Sequence, residues 1–142
     1  MKQRCVFIDS NIWFSAIYKA GNCSQLLQTL SQNKWEIVIS ELVLREILRN
    51  IEVKKPSASH FASEYIKTID PIVVKNPDVT LIDSYLGLAH PDDLSILVSA
   101  IQYHCHYFIT GNIKDFQVES IKKRTKLKVV TPVHFLSDIN TT

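Results

Sequence analysis

The chain has 142 residues, 46% of them hydrophobic, with three glycines and five prolines, which fits one compact domain with a real core and little linker. A formal net charge of +2 excludes attraction to a polyanion through overall charge, so any such attraction must come from local clusters of Lys and Arg. Three widely spaced cysteines (Cys5, Cys23 and Cys105), no secretion signal and no apolar run near the ~18 residues that cross a bilayer predict a soluble cytoplasmic protein with reduced thiols and no membrane contact.

Residues 4–8 form a short apolar run rich in β-formers and deliver one carboxylate, Asp9, to a run that reads as helix over 11–19. Gly21 and Asn22 break that helix before a second one over 24–32, whose buried stripe is Leu26, Leu27 and Leu30. Residues 35–39 are β-branched and apolar, which predicts a buried strand, and Ser40 caps the helix after it. From 41 to 53, Val43, Leu44, Ile47, Leu48 and Ile51 repeat at helical spacing until Lys54, Lys55 and Pro56 end the run. A further helix over 57–69 presents Phe61, Tyr65 and Ile69 on one face, and 71–75 reads as a third strand.

Residues 76–90 carry two turn signals and mixed periodicity and fit no single element. Asp92 and Asp93 then open a long helix with Leu94, Leu97, Val98 and Ile101 as its apolar face, the acids meeting the positive end of the helix dipole. A strand at 107–110, a turn at Gly111 and Asn112, and a partly helical return over 114–125 follow. A short strand at 128–131 and a terminal helical turn begun by Pro132 close the chain. Strands alternating with helices predict βαβ units, and so a three-layer α/β/α domain with a mostly parallel central sheet.

On this map Asp9, Glu46, Asp93 and Asp115 all fall at one edge of the sheet, beyond the carboxyl ends of the strands, where open α/β sheets collect ligands. Crowded carboxylates repel one another and raise each other's pKa, so such a group persists where a cation neutralises it. Hard oxygen donors with no His or Cys among them suit Mg²⁺ or Mn²⁺ better than zinc. One or two such ions would orient a phosphodiester, acidify an attacking water and stabilise the leaving oxygen. The residues alone therefore predict a metal-dependent nuclease or phosphatase.

Four stretches then combine. They are Val6 through Asn11, Glu46 after Val43 and Leu44, Asp92 and Asp93 after Pro91 with Leu97 and Ala100 beyond, and Phe108 through Phe116. In order and spacing they resemble the PIN-domain nucleases, most of all the small bacterial VapC-type toxins, over nearly the whole chain. The resemblance implies a Mg²⁺- or Mn²⁺-dependent endoribonuclease with RNA as substrate, the toxin half of a type II toxin–antitoxin pair, with Asp9, Glu46, Asp93 and Asp115 as its catalytic and metal-binding acids. It also implies a homodimer and a small antitoxin partner. Thr110 and Ser10 would supply hydroxyls around the site, and Asn11 would fix the loop behind Asp9. Many members carry an acid where this chain has Asn112, which brings a hydrogen-bonding amide and no charge. Toxin-like members often place the acid at the position of Asp115 instead, as here.

Each residue also has a plainer reading. Asp9 could cap its helix, and Glu46 could pair with Arg49 one turn on or with the adjoining Arg45. Asp93 shares a helix face with Leu97 and Ala100 and is the inward member of its pair, which leaves Asp92 in support; Asp115 could simply start the next helix. His104, Cys105 and His106 make a poor zinc tract, because neighbours entering a strand point to opposite faces. Residues 111–128 hold six basic residues against two acids, so Lys114, Lys122, Lys123 and Arg124 are either RNA contacts or a solvated face. Two rival functions share the fold: an RNA-processing or decay nuclease without an antitoxin, and a catalytically weakened module that binds RNA or protein.

Overall fold

The computed structural model describes residues 4–140. Five strands, β1 (Cys5–Ile8), β2 (Glu36–Ser40), β3 (Ile72–Val74), β4 (Tyr107–Ile109) and β5 (Lys128–Val130), pair in the order β3-β2-β1-β4-β5. Every pairing is parallel, so the sheet is wholly parallel and not merely mostly so. The central strand β1 is buried at all four positions, the burial that an uninterrupted apolar run between two helical layers requires.

Helices α1 (Ser10–Tyr18) and α2 (Asn22–Gln32) join β1 to β2, and α3 (Glu41–Lys54) and α4 (Ser59–Ile69) join β2 to β3. Helices α5 (Val79–Asp83) and α6 (Pro91–Gln102) lead to β4, α7 (Val118–Thr125) leads to β5, and α8 (Pro132–Asn140) follows it. The chain builds outward from β1 to β3 and returns to the far side of β1. Right-handed crossovers therefore place α1–α4 on one face and α5–α7 on the other, in three layers. Where the order reverses, between β1 and β4, the carboxyl ends of neighbouring strands diverge into helices of opposite layers and leave a crevice.

Local chemistry explains the element boundaries. The Ser40 hydroxyl accepts the Val43 amide at 3.2 Å and starts α3, whose Val43, Ile47 and Ile51 are buried at four-residue spacing. Asp78 caps α5 through Leu81 at 2.9 Å, and His90 Nδ1 accepts the Asp92 amide at 3.2 Å ahead of Pro91 at the first position of α6. Phe7 and Phe108, partners in the β1–β4 register, stack with ring centroids 5.4 Å apart and lock the two strands that flank the crevice.

The structure corrects one expectation, the terminal turn, and completes two others. The buried residues of α4 are Ala62 and Ile66, whereas Phe61 is 54% exposed and packs on Tyr65 at the rim: the close-packed face is one residue on, where a small side chain admits the neighbouring helix. The last element is a nine-residue helix, not a single turn, because Phe135 buries fully against Trp35 and Tyr107. The segment 76–90 holds α5 and a one-pair antiparallel bridge from Ala89 to Phe116. As for the histidine tract, His106 Nδ1 accepts the Cys5 amide at 3.2 Å and His104 is exposed. The three cysteines are free thiols, and no helix among the described residues is long and apolar enough to cross a membrane.

Candidate active site

Asp9 leaves β1 at its carboxyl end and is buried, with 4% of its surface exposed, although nothing about an aspartate favours burial without partners. Its partners come from both sides of the crevice. Oδ1 accepts the Ser10 backbone amide at 2.8 Å, so Asp9 does cap α1, and Oδ2 accepts the Thr110 hydroxyl at 2.8 Å and the side-chain Nδ2 of Asn11 at 3.3 Å. The backbone is tied in the same place: the Asp9 amide donates to Ile109 O at 3.0 Å, and the Thr110 amide donates to Val130 O at 3.0 Å. Capping thus occupies one direction of Oδ1 and leaves that oxygen capacity for a further ligand.

Thr110 is fully buried at the end of β4, and its hydroxyl also accepts the Asn112 amide at 3.1 Å. Asn11 Oδ1 accepts the Gly111 amide at 3.0 Å, so Asn11 spans from the turn after β4 to the carboxylate of Asp9. Ser10 and Asn11 are half-buried in this frame, whereas the side chain of Asn112 is exposed and makes no hydrogen bond among the described residues.

The other acids arrive from separate elements. Glu46 projects from α3, Asp93 from the first turn of α6, and Asp115 from a 3-10 turn (Ile113–Asp115). The start of α6 and that turn are clamped together: His90 N–H donates to Asp115 O at 2.8 Å, and Gln117 N–H donates to Leu88 O at 2.8 Å. Phe116, packed on Phe108 at 5.1 Å, anchors the clamp to the sheet. Asp93 is half-buried while the Asp92 side chain is 90% exposed, so of this pair Asp93 is the one turned toward the crevice.

Electrostatic effects pass pairwise among these acids. Burial pushes the Asp9 carboxyl above the ordinary aspartate range, against the pull of the hydrogen bonds from Thr110, Ser10 and Asn11. Partial burial raises Glu46, followed by the charges of Asp9 and Asp93. Asp93 is raised by burial, Asp9 and Asp115, with His90 acting in the opposite direction. No Lys or Arg lies within ion-pair distance of Asp9, Glu46, Asp93 or Asp115 among the described residues, and the Glu46–Arg49 pair is not formed.

This donor set fits a divalent cation. It is all hard oxygen, anionic, mutually repulsive and without a cationic partner, the balance a Mg²⁺ or Mn²⁺ ion would restore. Among the described residues no three His, Cys, Asp or Glu side chains are already gathered into a metal-holding cluster. Asp9 is held by its hydrogen bonds, whereas Glu46 and Asp115 are exposed and make no side-chain hydrogen bond or ion pair among the described residues.

The basic residues divide. Lys122 and Lys123 line a concavity of about 870 Å³ together with Lys126 and Lys128, and Lys114 is exposed beside Asp115. Arg124 is committed elsewhere: it donates to Ser84 O at 2.6 Å and lies over the Tyr85 ring at 4.7 Å. The signal missed in the sequence was Tyr85, an aromatic in the segment without periodicity.

Comparison with known proteins places this geometry. A crystal structure of VapBC2 from Rickettsia felis bound to a DNA fragment from their promoter is similar over 89% of this chain and 98% of that one, with a TM-score of 0.68 and 20% identity, which shows a shared fold. No curated protein matches the chain. The PIN-domain family model matches residues 5–114, a span that carries Asp9, Glu46 and Asp93 and stops one residue short of Asp115. The chain belongs to the PIN-domain family of nucleases.

Proposed function

We propose that the protein is a Mg²⁺- or Mn²⁺-dependent endoribonuclease and the toxin of a toxin–antitoxin pair. One observation carries the hydrolase reading: carboxylates from separate elements act on one another, the charge of Asp9 raising Glu46 and Asp93, that of Asp93 raising Glu46 and that of Asp115 raising Asp93, and none of the four has a cationic partner among the described residues. Asp9, Glu46, Asp93 and Asp115 would hold one or two ions, which supply the positive charge that acidifies the attacking water and offsets charge on the leaving oxygen. Thr110, Ser10 and Asn11 hold the Asp9 carboxylate in one orientation and work against the rise in its pKa that burial causes. Asp92 adds negative charge at the helix start, and Asn112 presents an exposed amide to solvent or phosphate. Lys114, Lys122 and Lys123 are the cations available to the RNA backbone.

The toxin assignment, a small antitoxin partner and a homodimer rest on the fold shared with the VapBC2 structure and on the motif order of the chain. A second reading, a module that binds RNA or protein without cutting it, is favoured by the uncharged Asn112 and by the absence of a preformed metal cluster among the described residues.

The test is cleavage of structured and single-stranded RNA by purified protein in Mg²⁺, Mn²⁺ or EDTA, beside Asp9→Asn and Glu46→Gln. Cleavage that depends on metal and on both acids is expected. Cleavage surviving EDTA or both substitutions would overturn the mechanism, and no cleavage together with no calorimetric metal binding would favour the binding module.

A further inference from the structure

The groove beside Glu46 has features that a ring of acids does not explain. Phe14 of α1 and Glu46, Arg49, Asn50, Val53 and Lys54 of α3 line a concavity of about 370 Å³. Phe14 is half-buried and stacks on Tyr18, one turn along α1, with ring centroids 6.3 Å apart and planes 21° from parallel. Tyr18 is 37% exposed and Val53 74% exposed, so the apolar wall is open to solvent.

The polar wall is open as well. Arg49 and Lys54 make no side-chain ion pair or hydrogen bond among the described residues, although Glu46 stands one helical turn from Arg49. An arginine left unpaired beside an available carboxylate keeps its planar fork for an anion from outside.

A groove with one aromatic wall, two unneutralised cations and a volume at the lower end of the range of about 300–1,000 Å³ for ligand pockets matches a nucleotide, which offers a flat base and a phosphate together. The larger lysine-lined concavity at α7 and β5 has cations and no ring, so it suits a sugar-phosphate backbone and carries no means of detecting an unpaired base.

We propose that this groove is the subsite for a nucleotide flanking the scissile phosphate: an unpaired base of single-stranded RNA stacks on Phe14, and the adjoining phosphate is held by Arg49 and Lys54. Because Glu46 belongs both to the groove and to the acid group, the base on Phe14 is a near neighbour of the bond to be cut. Stacking requires the base to be out of a duplex, so the subsite selects single-stranded RNA without reading a particular sequence. The identity of the polymer rests on the endoribonuclease reading; the subsite itself is a matter of binding.

The experiment measures binding, so that it stands apart from catalysis. Fluorescence anisotropy would follow a labelled 12-nucleotide oligoadenylate, and an abasic oligomer of the same length, on the Asp9→Asn chain in Mg²⁺. In that background Phe14→Leu is expected to weaken oligoadenylate binding by about 5- to 150-fold, the worth of one stacked base, and to leave the abasic oligomer unaffected. Phe14→Tyr restores the ring and the affinity. Arg49→Gln lowers affinity for both oligomers and reduces the slope of log affinity against log salt by about one. A thermal melt of each variant reports folding.

Equal losses on both oligomers, or no loss in Phe14→Leu, would overturn the subsite. So would unchanged RNA binding by the variants together with lost affinity for a protein encoded beside the gene, which would give the groove to that protein. Ring-dependent binding by a chain that, with Asp9 intact, cuts no RNA would leave the subsite standing and remove the hydrolase reading. Metal-dependent cleavage with ring-independent binding would do the reverse.

Discussion

The Thr110 hydroxyl donates to Asp9 Oδ2 across 2.8 Å, joining the carboxyl ends of β4 and β1 although the two residues are 101 positions apart. That bond makes the orientation of the buried carboxylate a property of the sheet. Thr110→Val keeps the shape and removes the donor, leaving Asp9 and the Asn112 amide each short of a partner. The expected cost is about 1–3 kcal/mol of stability and weaker metal binding, with Thr110→Ser close to the parent in both. Calorimetric titration with Mn²⁺ and chemical denaturation of the three proteins check this; a Val variant that binds metal as tightly as the parent would remove the orienting role.

Gly111 meets Asn11 where the turn passes the site. A Cβ at Gly111 would stand 3.3 Å from Asn11 Oδ1, so Gly111→Ala presses by a few tenths of an ångström on the side chain that reaches Asp9 Oδ2. A full ångström of misplacement costs on the order of 100-fold in rate, so a drop of about 3- to 10-fold in kcat is expected, with little change in Tm. An unchanged kcat, or unfolding in its place, contradicts this.

The raised acids predict an unusual pH dependence. Asp9, Glu46 and Asp93 all titrate above their ordinary values in the folded chain, so folding takes up protons in that window. Their contribution to stability is complete below the unfolded carboxylate values near about 4 and is lost as pH rises through the higher folded values. In EDTA, Asp9→Asn should therefore gain stability relative to the parent as pH rises from acid to neutral. Saturating Mn²⁺ should cancel that gain by stabilising only the parent. Thermal melts across the range decide it: a Tm difference independent of pH and of Mn²⁺ would contradict the account.

The cations of 111–128 should separate by role. Lys122→Gln and Lys123→Gln are each expected to weaken RNA binding for all sequences and to lower the salt slope by about one, without loss of stability. Arg124→Gln removes the bond to Ser84 O and the contact with Tyr85, so it should lower Tm with a smaller effect on the salt slope. Salt titrations paired with melts distinguish the two behaviours, and a stable Arg124→Gln with a reduced slope would return Arg124 to the RNA contacts.

Much of this protein could be read from local signals. Ser40 before a four-residue apolar repeat starts α3, an uninterrupted apolar run makes β1 the buried centre, and Asp9 at the join of strand and helix stands at the carboxyl edge of a parallel sheet. Periodicity and capping depend on neighbours a few positions away, so they survive in a linear reading. The order of four acid-bearing motifs is also a linear property, and it was enough to suggest the family.

Tertiary structure alone decided which charges meet and which do not. The clamp of His90 N–H on Asp115 O, which sets Asp93 beside the Asp115 turn, lies at the end of a segment with no periodicity, so nothing local announces it. The possible Glu46–Arg49 pair has the right helical spacing and does not form, because spacing permits a contact and the surroundings of each side chain choose it. The contacts of Arg124 arise the same way: its partners, Ser84 and Tyr85, are 39 or more positions away, brought within reach only when the sheet closes the loop between them.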